Sequence, residues 1–107
     1  MHHYTVTCEF AREEVAAEWL RWLRDEHVQD VLDAGAERAE IVKMEEPGQT
    51  WQIRYYFSSH AMYENYINKH ADRLQSEGLE RFPKEMGLQY DRTNGEIVAV
   101  FPEPDGQ

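Results

Sequence analysis

Apolar residues recur at every second position from His3 to Phe10. They recur at every third or fourth position from Glu13 to Ala34, and at every second position again within ERAEIVKME and TWQIRYYFS. A strand buries one of two faces and a helix buries one stripe, so each change of period marks a boundary between elements. In HYTVTCEF, Tyr4, Val6, Cys8 and Phe10 share one face, and His3, Thr5, Thr7 and Glu9 share the other. Gly35 follows the helical stretch, where a helix commonly stops in a left-handed conformation. ERAEIVKME reads as a second strand and TWQIRYYFS as a third, joined into a hairpin by the Pro-Gly turn of EPGQ. Ser58 and Ser59 can cap a second helix from His60 to about Gln75. Gly78 and Pro83 punctuate the segment after that helix, with room for one more helical turn through Phe82. GEIVAVF reads as the last strand, preceded by the tight-turn signal Asn94-Gly95. Leu88 to Arg92 is then either a short hairpin partner or a lead-in.

The order is βαββαβ. With both helices on one face of an antiparallel sheet, this is a ferredoxin-like α+β arrangement. Its length makes it a single domain, taken as residues 1–101, with a frayed tail at 102–107. In this topology the first and third strands are central. The third strand carries Trp51, Ile53, Tyr55 and Phe57 on one side and Arg54 and Tyr56 on the other, as expected of a strand with neither face fully open to water.

Charge and cysteine content narrow the function. The formal net charge of −10 argues against nucleic-acid binding, which needs clustered Lys and Arg. The single cysteine, Cys8, cannot form an internal disulfide and fits a reducing cytoplasm. No apolar run approaches the roughly 18 residues of a membrane span, and the first residues do not read as a signal peptide.

On a helical wheel Ala16, Trp19, Leu20, Leu23, His27, Val31 and Ala34 fall in one arc, with Trp22 at its edge. Tyr63, Tyr66, Ile67, His70, Ala71 and Leu74 fall in one arc of the second helix. Each apolar stripe therefore holds one histidine near its centre. A buried histidine is usually a neutral imidazole with one hydrogen-bond partner. The sharper reading makes His27 and His70 candidate acid–base or ligand-contacting groups in a shared space between helices and sheet. Trp19, Tyr63 and Tyr66 are candidate ligand contacts, though aromatics at helical spacing mostly pack. Arg54, on a central strand, reads as a cross-strand partner for Glu9 or Glu40, or as an anchor for a carboxylate. Cys8 reads as a small buried hydrophobe. Cys8, His27 and His70 lack the spacing of a metal site, so no metal is expected. No P-loop, GxGxxG, GxSxG or HExxH is present, so no cofactor is expected and the residues leave open whether the protein is an enzyme.

The stretches EWLRWLRDEHVQDVLDAG, YYFSS, YENYINKHADRL, ERF and the late Arg92-Thr93 resemble a small uncharacterised bacterial family catalogued only as a domain of unknown function. The resemblance runs from about residue 4 to 100, with Trp19, Trp22, His27, His70, Ala71, Phe82, Arg92 and Thr93 as matching positions. His2-His3 departs from the apolar start of the pattern. The family resembles the dimeric α/β-barrel superfamily, whose relatives include small monooxygenases, isomerases and haem enzymes. The resemblance thus implies a homodimer whose two sheets face each other. Thr5, Thr7, Arg54, Tyr56, Val98 and Val100 would form the mixed surface between them. Two functions remain: a homodimeric domain that binds a small molecule between helices and sheet, or a non-catalytic module for self-association or protein interaction.

Overall fold

The alternation that starts the chain makes β1 (His2–Phe10) an inner strand of a four-stranded antiparallel sheet ordered β2-β3-β1-β4. A computed structural model describes residues 1–45 and 48–103. β3 (Gln49–Phe57) flanks β1 with Tyr4 opposite Tyr55 and Val6 opposite Ile53, and β2 (Arg38–Lys43) pairs with the outer side of β3. The expected turn between β2 and β3 includes Glu46 and Pro47, which lie outside the described residues, as do residues 104–107 of the expected frayed tail.

Two long helices cover one face. The first spans residues 13–33 and is interrupted by a π turn at Leu23–His27. Gly35 follows at φ +126°. The second spans residues 60–81 and has its own π turn at Ile67–Ala71. Its first turn is capped by the Ser59 hydroxyl, which accepts a hydrogen bond from the Met62 amide at 3.2 Å. Both expected stripes face the sheet: Ala16, Trp19, Leu23, Val31 and Ala34 from the first helix, Tyr63, Tyr66, Ala71 and Leu74 from the second. They meet Tyr4, Val6, Cys8, Phe10, Ile53, Tyr55 and Phe57 from the inner strands.

Three features differ from the sequence reading. The second helix does not stop near Gln75 but runs through Gly78 to Arg81. The Trp22 indole explains this glycine, because a Cβ at position 78 would stand only 3.3 Å from it. Gly78 therefore lets the two helices approach. The last strand is β4 (Leu88–Glu96), paired with β1 along its whole length, not residues 95–101. Asn94 and Gly95 sit inside this strand and make no turn. The Asn94 amide oxygen pairs with His2 Nε2 at 2.9 Å, and the His3 ring lies 3.2 Å from where a Gly95 Cβ would stand. Those contacts also explain the histidines at the start, because β1 begins at His2 and His2 is only 4% exposed.

The third difference concerns the open face of the sheet. Thr5, Thr7, Arg54 and Tyr56 do lie there, but each is tied to a polar side chain, Thr5 to His3 at 3.1 Å. Gln52 donates to Thr7 at 3.1 Å, Arg54 donates to Gln52 at 3.1 and 2.9 Å, and Tyr56 donates to Glu40 at 2.8 Å. Val98 and Val100 lie beyond the sheet in an extended segment, exposed with Phe101.

Candidate functional site

The helices and sheet do not close completely. Between them lies a cavity of about 40 Å³. Its floor is Tyr4 and Val6 of β1, Ile53 and Tyr55 of β3, and Tyr90 and Arg92 of β4. Trp19, Trp22, Leu23 and His27 line it from the first helix; Tyr66, Leu74, Gln75, Gly78 and Leu79 line it from the second. The π turn puts His27 here. Closing i to i+5 instead of i to i+4 adds one residue to the turn, a distortion frequent at functional sites. The imidazole stacks on Trp22 with ring centres 4.3 Å apart and planes 19° apart. That leaves its Nδ1 buried and without a hydrogen-bond partner among the described residues. The hydroxyl of Tyr55, a residue 1% exposed, is likewise buried and unpartnered. Most buried polar atoms are paired, because leaving one unpaired costs about 1–3 kcal/mol. Four such atoms occur among the described residues, and two of them, His27 Nδ1 and Tyr55 Oη, belong to residues that line this one cavity, the others being His2 Nδ1 and Trp51 Nε1.

The electrostatics favour neutral groups. Burial lowers the His27 pKa to about 4, with Asp30 opposing and Arg92 reinforcing the shift. Burial raises Tyr4, Tyr55 and Tyr66 above the ordinary phenol value and pushes Tyr90 up to about 12. It pushes the Cys8 thiol up to about 12 as well, with Arg92 opposing, which leaves an inert thiol. Near neutrality the cavity thus offers an unprotonated imidazole and protonated phenols. An imidazole that titrates near 4 is a weak general base at pH 7 but a good hydrogen-bond acceptor. Gln75 donates to the Tyr4 hydroxyl at 3.4 Å. The Arg92 guanidinium lies 5.3 Å over the Tyr90 ring and opposes the rise at Tyr4, Tyr66 and Tyr90.

Of the residues nominated from sequence, His27, Trp19 and Tyr66 line this cavity. His70 does not: it is half-buried in the second π turn and the structure does not bring it to His27. Tyr63 belongs to a neighbouring aromatic cluster, stacked on His2 with ring centres 4.4 Å apart and edge-on to Phe57. Arg54 lies on the open face of the sheet, bonded to Gln52. Sequence reasoning from periodicity missed Gln75, Tyr90 and the cavity role of Arg92. The signal for the last two was the register of β4 on β1, which sets Tyr90 opposite Cys8 and Arg92 opposite Val6 on the covered face. Among the described residues no three His, Cys, Asp or Glu converge as a metal site would require.

Four antiparallel strands under two helices, with a pocket between the layers, define a ferredoxin-like α+β domain. The chain belongs to the domain of unknown function family DUF4286, whose sequence profile matches residues 1–93. No curated protein matches it. Solved structures share the fold at low identity. A dimeric ferredoxin-like protein from an uncultured marine organism is 17% identical, with a TM-score of 0.71 over 94% of this chain and 96% of that one. A protein from Deinococcus radiodurans described as a candidate antibiotic biosynthesis monooxygenase is 11% identical, with a TM-score of 0.69 over 94% and 95%. A variant of SnoaB, a cofactor-independent oxygenase from Streptomyces nogalater, is 9% identical, with a TM-score of 0.66 over 95% and 98%. At such identities the likeness establishes the architecture, and function has to be argued from the site. No helix among the described residues is long and apolar enough to cross a membrane.

Proposed function

We propose that this protein is a homodimeric small-molecule-binding domain whose ligand sits between helices and sheet beside His27. Its architecture is monooxygenase- or isomerase-like by analogy alone, and a reducing cytoplasm fits its one cysteine, which is buried and free. The observation that carries the ligand reading is that His27 and Tyr55 both line one cavity and each holds a buried polar atom, Nδ1 and Oη, without a partner among the described residues. A ligand that bonds both would offset their desolvation. The cavity itself holds a group of about three water-sized atoms, since one water needs roughly 10–15 Å³. A larger ligand must displace the half-buried Trp22 or the exposed Leu79 at its margin.

A thermal-shift screen of a small-molecule library, read together with tryptophan fluorescence, tests the reading. A ligand that binds only the folded state raises its melting temperature. A ligand in this cavity must also change the emission of Trp19 and Trp22. Hits that leave the emission unchanged, or stabilise His27→Phe as well as the parent, would place binding elsewhere and refute this site.

Dimerisation is supported by the marine relative described as dimeric and by the exposure of Val98 at 86% and Phe101 at 81%, which a partner would cover. The same exposed segment favours the second reading, a self-association or protein-interaction module without a ligand. Sedimentation equilibrium at micromolar concentration decides the dimer: a monomer for the parent rejects it, and Phe101→Glu should shift a dimer toward monomer.

A further inference from the structure

The charge on the cavity wall is unlike the charge on the rest of the chain. The protein holds 21 Asp and Glu against 11 Lys and Arg. Among the described residues lining the cavity there is no Asp, Glu or Lys, and the single charged group is Arg92. Arg92 stands on the edge strand β4, opposite Val6 in register, so its side chain leaves the sheet on the face the helices cover. It is exposed, bonds the Tyr4 phenol and makes no ion pair among the described residues. His27 and Tyr55, with their unpartnered Nδ1 and Oη, line the same cavity, and Val6, Ile53, Leu23 and Leu74 give it apolar walls.

We infer that the ligand is a small carboxylate, its charge held by the Arg92 guanidinium, its body between the apolar walls, and a hydroxyl or carbonyl group meeting His27 and Tyr55 within. A guanidinium presents two parallel donors to a carboxylate, and bonds to a charged acceptor are the stronger kind. In an acidic protein, lining a cavity with one arginine and no acid favours anions over the neutral and cationic analogues of the same shape. The space of about 40 Å³ takes only a few atoms beside His27 and Tyr55, with the rest of the ligand seated as Trp22 or Leu79 moves aside, which fits a hydroxyl or a carbonyl there better than a second charged group. The neutral state of His27 agrees with this, since the imidazole can accept from a hydroxyl and the Tyr55 phenol can donate to either group.

This inference rests on the pocket reading above, and the experiment separates the two. Matched pairs are titrated calorimetrically and by tryptophan fluorescence: 4-hydroxybenzoate with 4-hydroxybenzamide, and 4-oxopentanoate with 4-oxopentanamide. At least one carboxylate should bind about tenfold or more tighter than its amide, equivalent to about 1.4 kcal/mol. Arg92→Met, a substitution at an exposed site, should bring the carboxylate down to about the affinity of its amide, and Arg92→Lys should restore part of the difference. Tyr55→Phe, which keeps the ring and the packing, should weaken the carboxylate without removing the preference over the amide. Equal binding of acid and amide, or a preference that survives Arg92→Met, overturns the carboxylate class and leaves the pocket standing. No binding and no fluorescence change with any of the four compounds, with the neutral ligand indole also silent, overturns both.

Discussion

The two helices carry the same irregularity and use it differently. Each is broken by one π turn, Leu23–His27 in the first and Ile67–Ala71 in the second, and each π turn contains a histidine. His27 is the last residue of its turn, stacked on Trp22 and turned into the cavity. His70 is the fourth residue of its turn, half-buried and not among the residues lining the cavity, while the next residue, Ala71, enters the core. An extra residue in a turn re-aims the side chains near it, so position within the turn decides which of them points inward. Similar local geometry thus sends a histidine to the cavity in one helix and an alanine to the core in the other.

The largest test of that contrast is within the first helix. Trp19 is 2% exposed and packs edge-on against Phe10 with ring centres 5.2 Å apart, whereas Trp22 is half-buried at the cavity margin. Trp19→Ala should cost about 3–5 kcal/mol and Trp22→Ala clearly less, because truncating a buried aromatic leaves a cavity that cannot collapse. Urea unfolding midpoints measure both, and equal values would erase the distinction between core and margin.

The next test probes His27 through pH. The folded-state pKa of His27 is lowered to about 4 by burial, against about 6.5 for the unfolded chain. Between those values the unfolded state binds more protons. The contribution of His27 to stability is therefore full above about pH 6.5 and is lost as pH falls toward 4, by up to about 3 kcal/mol. Phenylalanine cannot take up the proton. His27→Phe should flatten the fall in stability across that window. Parallel curves for the parent and the variant would remove the buried imidazole of the first π turn as its cause.

A smaller effect is expected where the helices touch. The Trp22 indole stands 3.3 Å from where a Cβ at position 78 would sit. Gly78→Val drives a branched side chain against it and should destabilise by about 1–2 kcal/mol through overpacking. The expected optical sign is a red-shifted tryptophan emission as Trp22 moves into water. An unchanged spectrum would show that the indole does not depend on Gly78. A smaller change still comes from Ser59→Ala, which removes the cap of the second helix and should cost about 1 kcal/mol in the same unfolding assay. The first helix has no side-chain cap at Arg12, so Arg12→Ala should cost much less.

Part of the site was legible from residue spacing. The two stripes placed Trp19, His27 and Tyr66 toward the sheet because helical period and burial agree over several turns. His70 shared an arc with Tyr66 on an ideal wheel, but a wheel turns by a constant 100° and the π turns do not. Arg54 and Tyr63 follow from residue type, yet strand alternation puts Arg54 on the open face, bonded to Gln52, and Tyr63 stacks on His2 beside Tyr4 without lining the cavity itself. The last strand was misplaced because Ile97, Val98 and Val100 have strong β propensity, whereas Leu88–Glu96 mixes charged and apolar residues as edge strands do.

The sequence alone determined the element order, the inward faces of β1 and β3, and the two helical stripes, because period and burial are local properties that each segment carries by itself. Only the tertiary structure decided that β4 lies along β1, that Arg92 reaches the covered face, and that His27 enters a cavity while His70 does not. Those outcomes depend on cross-strand register and on helices that leave ideal geometry, and both are settled by which distant residues pack together.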